Sequence, residues 1–296
     1  MRSPSLLARH DGELTLLLVS WLAAAGWVFS FEALRWLPPL GFMGMRFLGA
    51  ALLLGLWGGP ALLAMAREGR SGPALRTGGV FALAMVSWVL GLAHAEHLGV
   101  GAFLCALGVV FAPLTGRWVL GVPLAPATWW GMGLAALGLV CLMGHAGGGL
   151  SLSDGLFLAT AALGSLQFTL NSRYASRQDP LPLTAVQMAV AGAVCTGLSM
   201  ALEDWPAQLP ASAWGWLLAS ALLSTTLRFY LQVRGQGRTS LSHAALILSL
   251  EPVWATLMVL VWKHEQLGPW QWAGCGLILL ALLVGRWPLW RRRTGD

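Results

Sequence analysis

Glu251 stands inside the apolar run Leu246-Ile247-Leu248-Ser249-Leu250-Glu251-Pro252-Val253, where a carboxylate is out of place. A charged side chain at a bilayer centre costs about 2.5 to 3.5 kcal/mol on insertion scales, so retaining one implies a partner, water or a task. Glu251 falls about 11 residues into its run, roughly 16 Å deep at about 1.5 Å per residue. His243 lies two helical turns earlier on nearly the same face, and carboxylate plus imidazole form a titratable pair suited to moving protons. Two further charges lie inside apolar runs, Arg46 and Arg228. Arg46 is closer to Glu251 in expected depth and Arg228 closer in sequence. For Glu251 a structural ion pair, a proton-coupling or substrate-contacting role and helix-end polarity all stay open. Arg46 reads first as structural, and Arg228 is placed to snorkel toward headgroups.

Uncharged polar residues form stripes at helical spacing: Thr160, Gly164, Gln167 and Asn171; Ser220, Ser224 and Arg228; Ser87, Gly91 and His94; Ser20, Trp27 and Ser30. Helix–helix hydrogen bonding accounts for any one stripe. So many together predict a shared polar cavity, and the residues expected on its substrate or coupling pathway are Glu251, His243, Arg46, Arg228, Gln167, Asn171, Ser224, Trp88 and Trp27; Trp21 and Trp254 are the other deep aromatic residues. Pro113 and Pro252 sit inside apolar runs, where each removes a helix hydrogen bond and permits a kink. The ladders Gly131 with Ala135, and Ala189, Ala193 and Gly197, suggest close helix packing. No P-loop, dinucleotide fingerprint, H-E-x-x-H or G-x-S-x-G occurs, so no cofactor or metal site is expected. Cys105, Cys141, Cys195 and Cys275 fall in separate apolar runs and read as small hydrophobes.

The elements that must hold these residues are membrane spans. Of 296 residues, 57% are apolar and 10% charged, against about 25% charged in a soluble domain. A span needs about 20 apolar residues. The pattern predicts ten helices, at about 14–33, 38–57, 77–94, 99–120, 127–145, 153–173, 181–202, 212–233, 240–262 and 268–287. The fold class is therefore all-α integral membrane. Lys263 is the only lysine among 18 basic residues, and the charges are scattered singly, unlike a nucleic-acid patch. With the N-terminus inside, 14 of the 18 fall on the inner side. The positive-inside rule then places both termini in the cytoplasm of a cell-membrane protein, the inner membrane if the cell is Gram-negative. Glu203-Asp204 reads as a solvated pair in a short outer loop.

Pro39-Leu40 with Met45 and Gly49 recurs as Pro182-Leu183 with Met188 and Gly192, a shift of 143 residues; Gly131-x-Gly133-Leu134 answers Gly274-x-Gly276-Leu277 at the same shift. The duplication divides the chain at 1–147 and 148–296. Five spans per copy force the second copy to enter from the opposite side, giving inverted repeats, a recurring design of secondary transporters.

The stretch from Leu246 to Val253, Glu265 after it, the Gly274-x-Gly276-Leu277-Ile278-Leu279 opening, Leu231-Gln232 with Gln236, and Pro39 followed by Arg46 together resemble the drug/metabolite transporter superfamily, specifically its ten-helix exporters built from two EamA-type repeats. Gly121-Val122-Pro123 stands where the first repeat should carry an acidic residue, so that residue cannot be essential in both halves. The resemblance implies a cavity enclosed by helices of both repeats and export of small metabolites by alternating access. Few charges in that cavity favour a neutral or zwitterionic substrate, such as an amino acid, and Glu251 with His243 are the buried titratable pair that suggests protons as a coupling ion. The alternative is a membrane-embedded enzyme acting on a lipid or isoprenoid carrier, which would need catalytic polar groups clustered at one interface.

Overall fold

In the computed structural model, residues 11–121, 151–175, 178–239, 250–264 and 267–284 are described, with isolated positions between 130 and 141 and between 244 and 248. The expected span at 127–145, His243, Glu265, the first ten residues and those from 285 onward lie largely or wholly outside that set.

Among the described residues the chain is helical and contains no strand. The helices are α1 (Asp11–Ala33), α2 (Pro39–Arg67), α3 (Ser71–Ala93), α4 (Leu98–Leu120), α5 (Leu152–Ala175), α6 (Pro180–Leu202), α7 (three consecutive parts, Ala211–Ala219, Ser220–Leu227 and Arg228–Arg238), α8 (Glu251–Lys263) and α9 (Pro269–Val284). Five are long and apolar enough to cross a bilayer: α1, α2, α3, the Val100–Leu120 part of α4, and α6. Large apolar side chains face outward, among them Trp57, Trp118 and Met200. Such an exterior belongs in lipid, where helices satisfy their own backbone groups.

Several helix limits differ from the sequence expectation. α2 continues to Arg67, bending where Gly58 leaves helical geometry (φ −107°, ψ 17°) two residues before Pro60. That bend brings Leu181 against Gly58. α7 is π-helical over Ser220–Leu227. Hydroxyls follow the wider turn: Thr225 donates to the Ser220 carbonyl at 2.8 Å and Thr226 to that of Ala221 at 2.8 Å. A π-bulge of this kind shifts every later residue relative to α-helical spacing.

The ninth expected span is interrupted. Ala244, Ile247 and Leu248 are helical, Leu250 is a turn (φ −76°, ψ −15°), and a new helix opens at Glu251. Pro252 therefore occupies the first turn of α8, where its missing N–H costs nothing, and does not bend a continuous helix. Pro113 lies within the unbroken helix α4.

The pairing of helices follows a repeated plan. α2 and α6 run antiparallel in close contact: Gly44 meets Thr196, Gly192 meets Leu48 and Gly58 meets Leu181. The packing face of α6 is Ala185, Met188, Gly192, Cys195 and Ser199, all buried. The ladder Ala189, Ala193 and Gly197 is instead exposed, because it lies on the opposite side of the helix. α1 packs antiparallel to α7, through Gly26 against Ser224 and Gly235 against Leu16, and parallel to α8. α5 repeats both relations, antiparallel to α3 through Thr160 and the Ala84 carbonyl and parallel to α4 through Thr115 with Ser165 and Thr169.

Candidate functional site

The helices converge on a cavity of about 200 Å³. Its wall takes Trp27 from α1, Arg46 from α2, Trp88 from α3, Cys105 from α4, Thr160, Gly164 and Gln167 from α5, Ser224, Arg228 and Gln232 from α7, and Glu251 with Pro252 from α8. Seven of the nine expected pathway residues thus share one space: Glu251, Arg46, Arg228, Gln167, Ser224, Trp88 and Trp27. Asn171 is buried but does not line it; its Oδ1 accepts a hydrogen bond from Gln187 Nε2 at 2.8 Å. His243 lies outside the described residues. His94 is exposed and bonds back to the Leu90 carbonyl, and Gly91 packs on Phe157, so the expected α3 stripe reaches the cavity through Trp88 instead.

Glu251 is the first residue of α8, not a mid-helix carboxylate. An acidic residue in a helix's first turn is favoured by the helix dipole. Trp27 Nε1 donates to Glu251 Oε1 at 3.2 Å, and Arg228 Nη2 lies 3.6 Å from Oε2. The partner left open by the sequence is thus Arg228. Its guanidinium sits 4.1 Å from the Phe229 ring centroid, so it points inward and does not snorkel to headgroups.

Arg46 is held by neutral groups. Its Nε donates to Thr225 Oγ1, Nη1 to Ser30 Oγ at 2.9 Å, and Nη2 to the Ser224 carbonyl at 3.3 Å. The rings of Phe47 and Trp88 lie 5.5 and 5.9 Å from the guanidinium carbon, within cation–π range. Ser30 and Thr225 each donate to a carbonyl of their own helix, at Gly26 and Ser220, leaving lone pairs for the arginine. Sequence reasoning placed Ser30 on a stripe but missed Thr225, because α-helical spacing puts position 225 off the Ser220–Ser224–Arg228 face. Only the π-turn brings it in.

Trp27 and Trp88 meet edge to face with centroids 5.2 Å apart, and Trp27 also touches Phe157 at 5.6 Å. Trp21 is 48% exposed and faces outward, against the expectation of a deep role. On the Asp11 side of the cavity, the side chains of Leu16, Val19, Ala244 and Leu248 form an apolar plug, joined by Phe168, Leu231 and Ile247, with Leu248 and Phe168 also on the cavity wall. Past the plug, Asp11 pairs with Arg238 and with Arg234 at 3.7 Å. At the other end Glu32 accepts from Trp262 Nε1 at 3.1 Å and pairs with Arg35 at 3.0 Å. Glu203 is not merely solvated: its two oxygens accept the Leu40 and Gly41 N–H groups at 2.7 and 2.8 Å, capping α2. All four cysteines are free.

The sequence profile of the EamA-like transporter family matches residues 151–285. Nineteen solved chains match; one, a crystal structure, has a TM-score of 0.67 at 21% identity, covering 97% of this chain and 98% of its own. At that identity the likeness establishes the fold alone. A comparison with curated proteins gives no match. Residues 151–285 are thus similar to the EamA-like transporter family, and the apolar helices mark the chain as a multi-pass membrane protein.

Proposed function

We propose that the protein is a secondary transporter exporting a small metabolite, such as an amino acid or a related compound, by alternating access of two inverted five-helix repeats, with protons as the coupling ion. The observation that carries this reading is the cavity itself. It draws on α1 to α4 and on α5, α7 and α8 together, and Glu251 opens a broken helix at its wall. Discontinuous helices whose termini face a midplane site are the usual means by which transporters hold ions and substrates. The antiparallel α2–α6 pair and the twice-used arrangement of α1 and α5 against the third and fourth helices of the other half support the inverted relation. The plug and the Asp11 ion pairs would close the inner side in this conformation, and their separation would open it. In this reading both termini are cytoplasmic and the protein sits in the cell membrane, the inner one where there are two.

Efflux from preloaded proteoliposomes tests the proposal. Faster loss of at least one compound from a panel of amino acids, toxic analogues and organic acids than from protein-free vesicles is the expected result. No accelerated loss of any compound would remove the transporter reading. Coupling is tested separately with Glu251→Gln: transport should persist in exchange mode but lose its response to an imposed pH gradient. An unchanged pH response takes Glu251 out of the coupling step.

A further inference from the structure

Among the described residues, three charged side chains line the cavity and they do not cancel: Arg46 and Arg228 face one carboxylate, Glu251. That carboxylate is engaged at both oxygens, by Trp27 and by Arg228. Arg46, only 5% exposed, has neutral partners alone. Two donors on the wall, Arg228 Nε and Gln167 Nε2, are buried without a hydrogen-bond partner. Buried donors and a surplus buried cation are costly unless a ligand supplies acceptors and negative charge. Guanidinium groups suit a carboxylate in both respects, since their planar N–H array matches two oxygens.

We infer that Arg46 and Arg228 form an anion subsite, and that the substrates are small organic monoanions whose carboxylate docks there while an apolar body lies along Trp27 and Trp88. This rests on the transporter reading and sharpens its substrate class. A cationic ligand finds two like charges and a carboxylate already taken. A zwitterion enters by the same carboxylate end but must either leave its ammonium unpaired or draw Glu251 away from Arg228. The sequence suggested a neutral or zwitterionic substrate because charges were few; folding gathers two of those few into one wall with the same sign.

Isothermal titration of the nanodisc-embedded protein near neutral pH with phenylacetate, phenylacetamide, phenethylamine and phenylalanine tests the inference. Phenylacetate is expected to bind most tightly, phenylacetamide roughly ten-fold or more weakly, the discrimination of one charge-assisted hydrogen-bonding group. Phenylalanine should fall between them, and phenethylamine should not bind. Arg46→Gln should erase the preference for phenylacetate over phenylacetamide, and Arg46→Lys should retain part of it. The wild-type ranking decides the matter even if Arg46→Gln does not fold. Amide or amine binding as tightly as the carboxylate, or no binding of phenylacetate at millimolar concentration, overturns the subsite. Efflux of a neutral or cationic compound alongside that result would leave the transporter reading intact, whereas no efflux of any compound would strike that reading instead.

Discussion

Gly192 and Gly49 correspond to each other by the 143-residue shift, yet they sit in opposite circumstances at the α2–α6 crossing. A Cβ added at Gly192 would lie 2.7 Å from the Leu48 backbone nitrogen and 2.8 Å from Leu48 Cγ; one added at Gly49 would meet nothing within 4 Å. Backbone atoms cannot swing aside, so Gly192→Ala must push α2 and α6 apart. Overpacking of this kind costs about 1 to 3 kcal/mol. Gly49→Ala makes no clash and gains helix propensity, up to about 1 kcal/mol. The two variants, each adding one methyl, are therefore expected to move stability in opposite directions, by about 1 to 4 kcal/mol in difference. Thermal loss of the monodisperse peak in detergent, measured side by side, reads the ordering without requiring reversible unfolding. Gly192→Ala should melt several degrees below the wild-type chain and Gly49→Ala at or slightly above it. Equal midpoints for the two variants, or the reverse order, would refute the crossing geometry and with it the α2–α6 register.

Other expectations follow from the same geometry. Glu203→Gln should destabilise the protein by about 1 kcal/mol through loss of the charged cap on α2, whereas Asp204→Asn should leave the melting midpoint unchanged. Asp11→Asn breaks only partly exposed ion pairs, so its stability cost should stay below about 1 kcal/mol; a larger drop in the melting midpoint would show that the closed end depends on them. A membrane-permeant maleimide, with modification read by peptide mass spectrometry, should label Cys105, on the cavity wall, before the buried Cys195 and Cys275; equal rates would mean that the cavity is closed to solutes. Trp27→Phe removes the N–H that donates to Glu251 and should change the pH profile of transport more than the affinity for substrate.

The helices themselves were readable because lipid imposes one simple requirement, a long apolar run between polar ends, and the limits of α4, α5 and α6 fall within a few residues of the sequence expectation. Seven cavity residues were also readable, since polar groups in such runs stand out against their neighbours. What the linear chain could not carry is direction and break. Whether Glu251 takes Arg46 or Arg228 depends on how α2, α7 and α8 meet. Thr225 joins the site only through a π-turn that no residue spacing announces. Nor does the chain distinguish Gly192 from Ala189 or Gly197 as the packing residue, because a helix offers small residues on several faces and only its neighbour selects one. Composition and periodicity thus determined that this protein is a helical membrane bundle with a polar interior. Tertiary packing alone decided which charges pair, which helix breaks at the carboxylate, and that two arginines share a wall with one acid, because those outcomes are set by contacts between segments up to 230 residues apart in the chain.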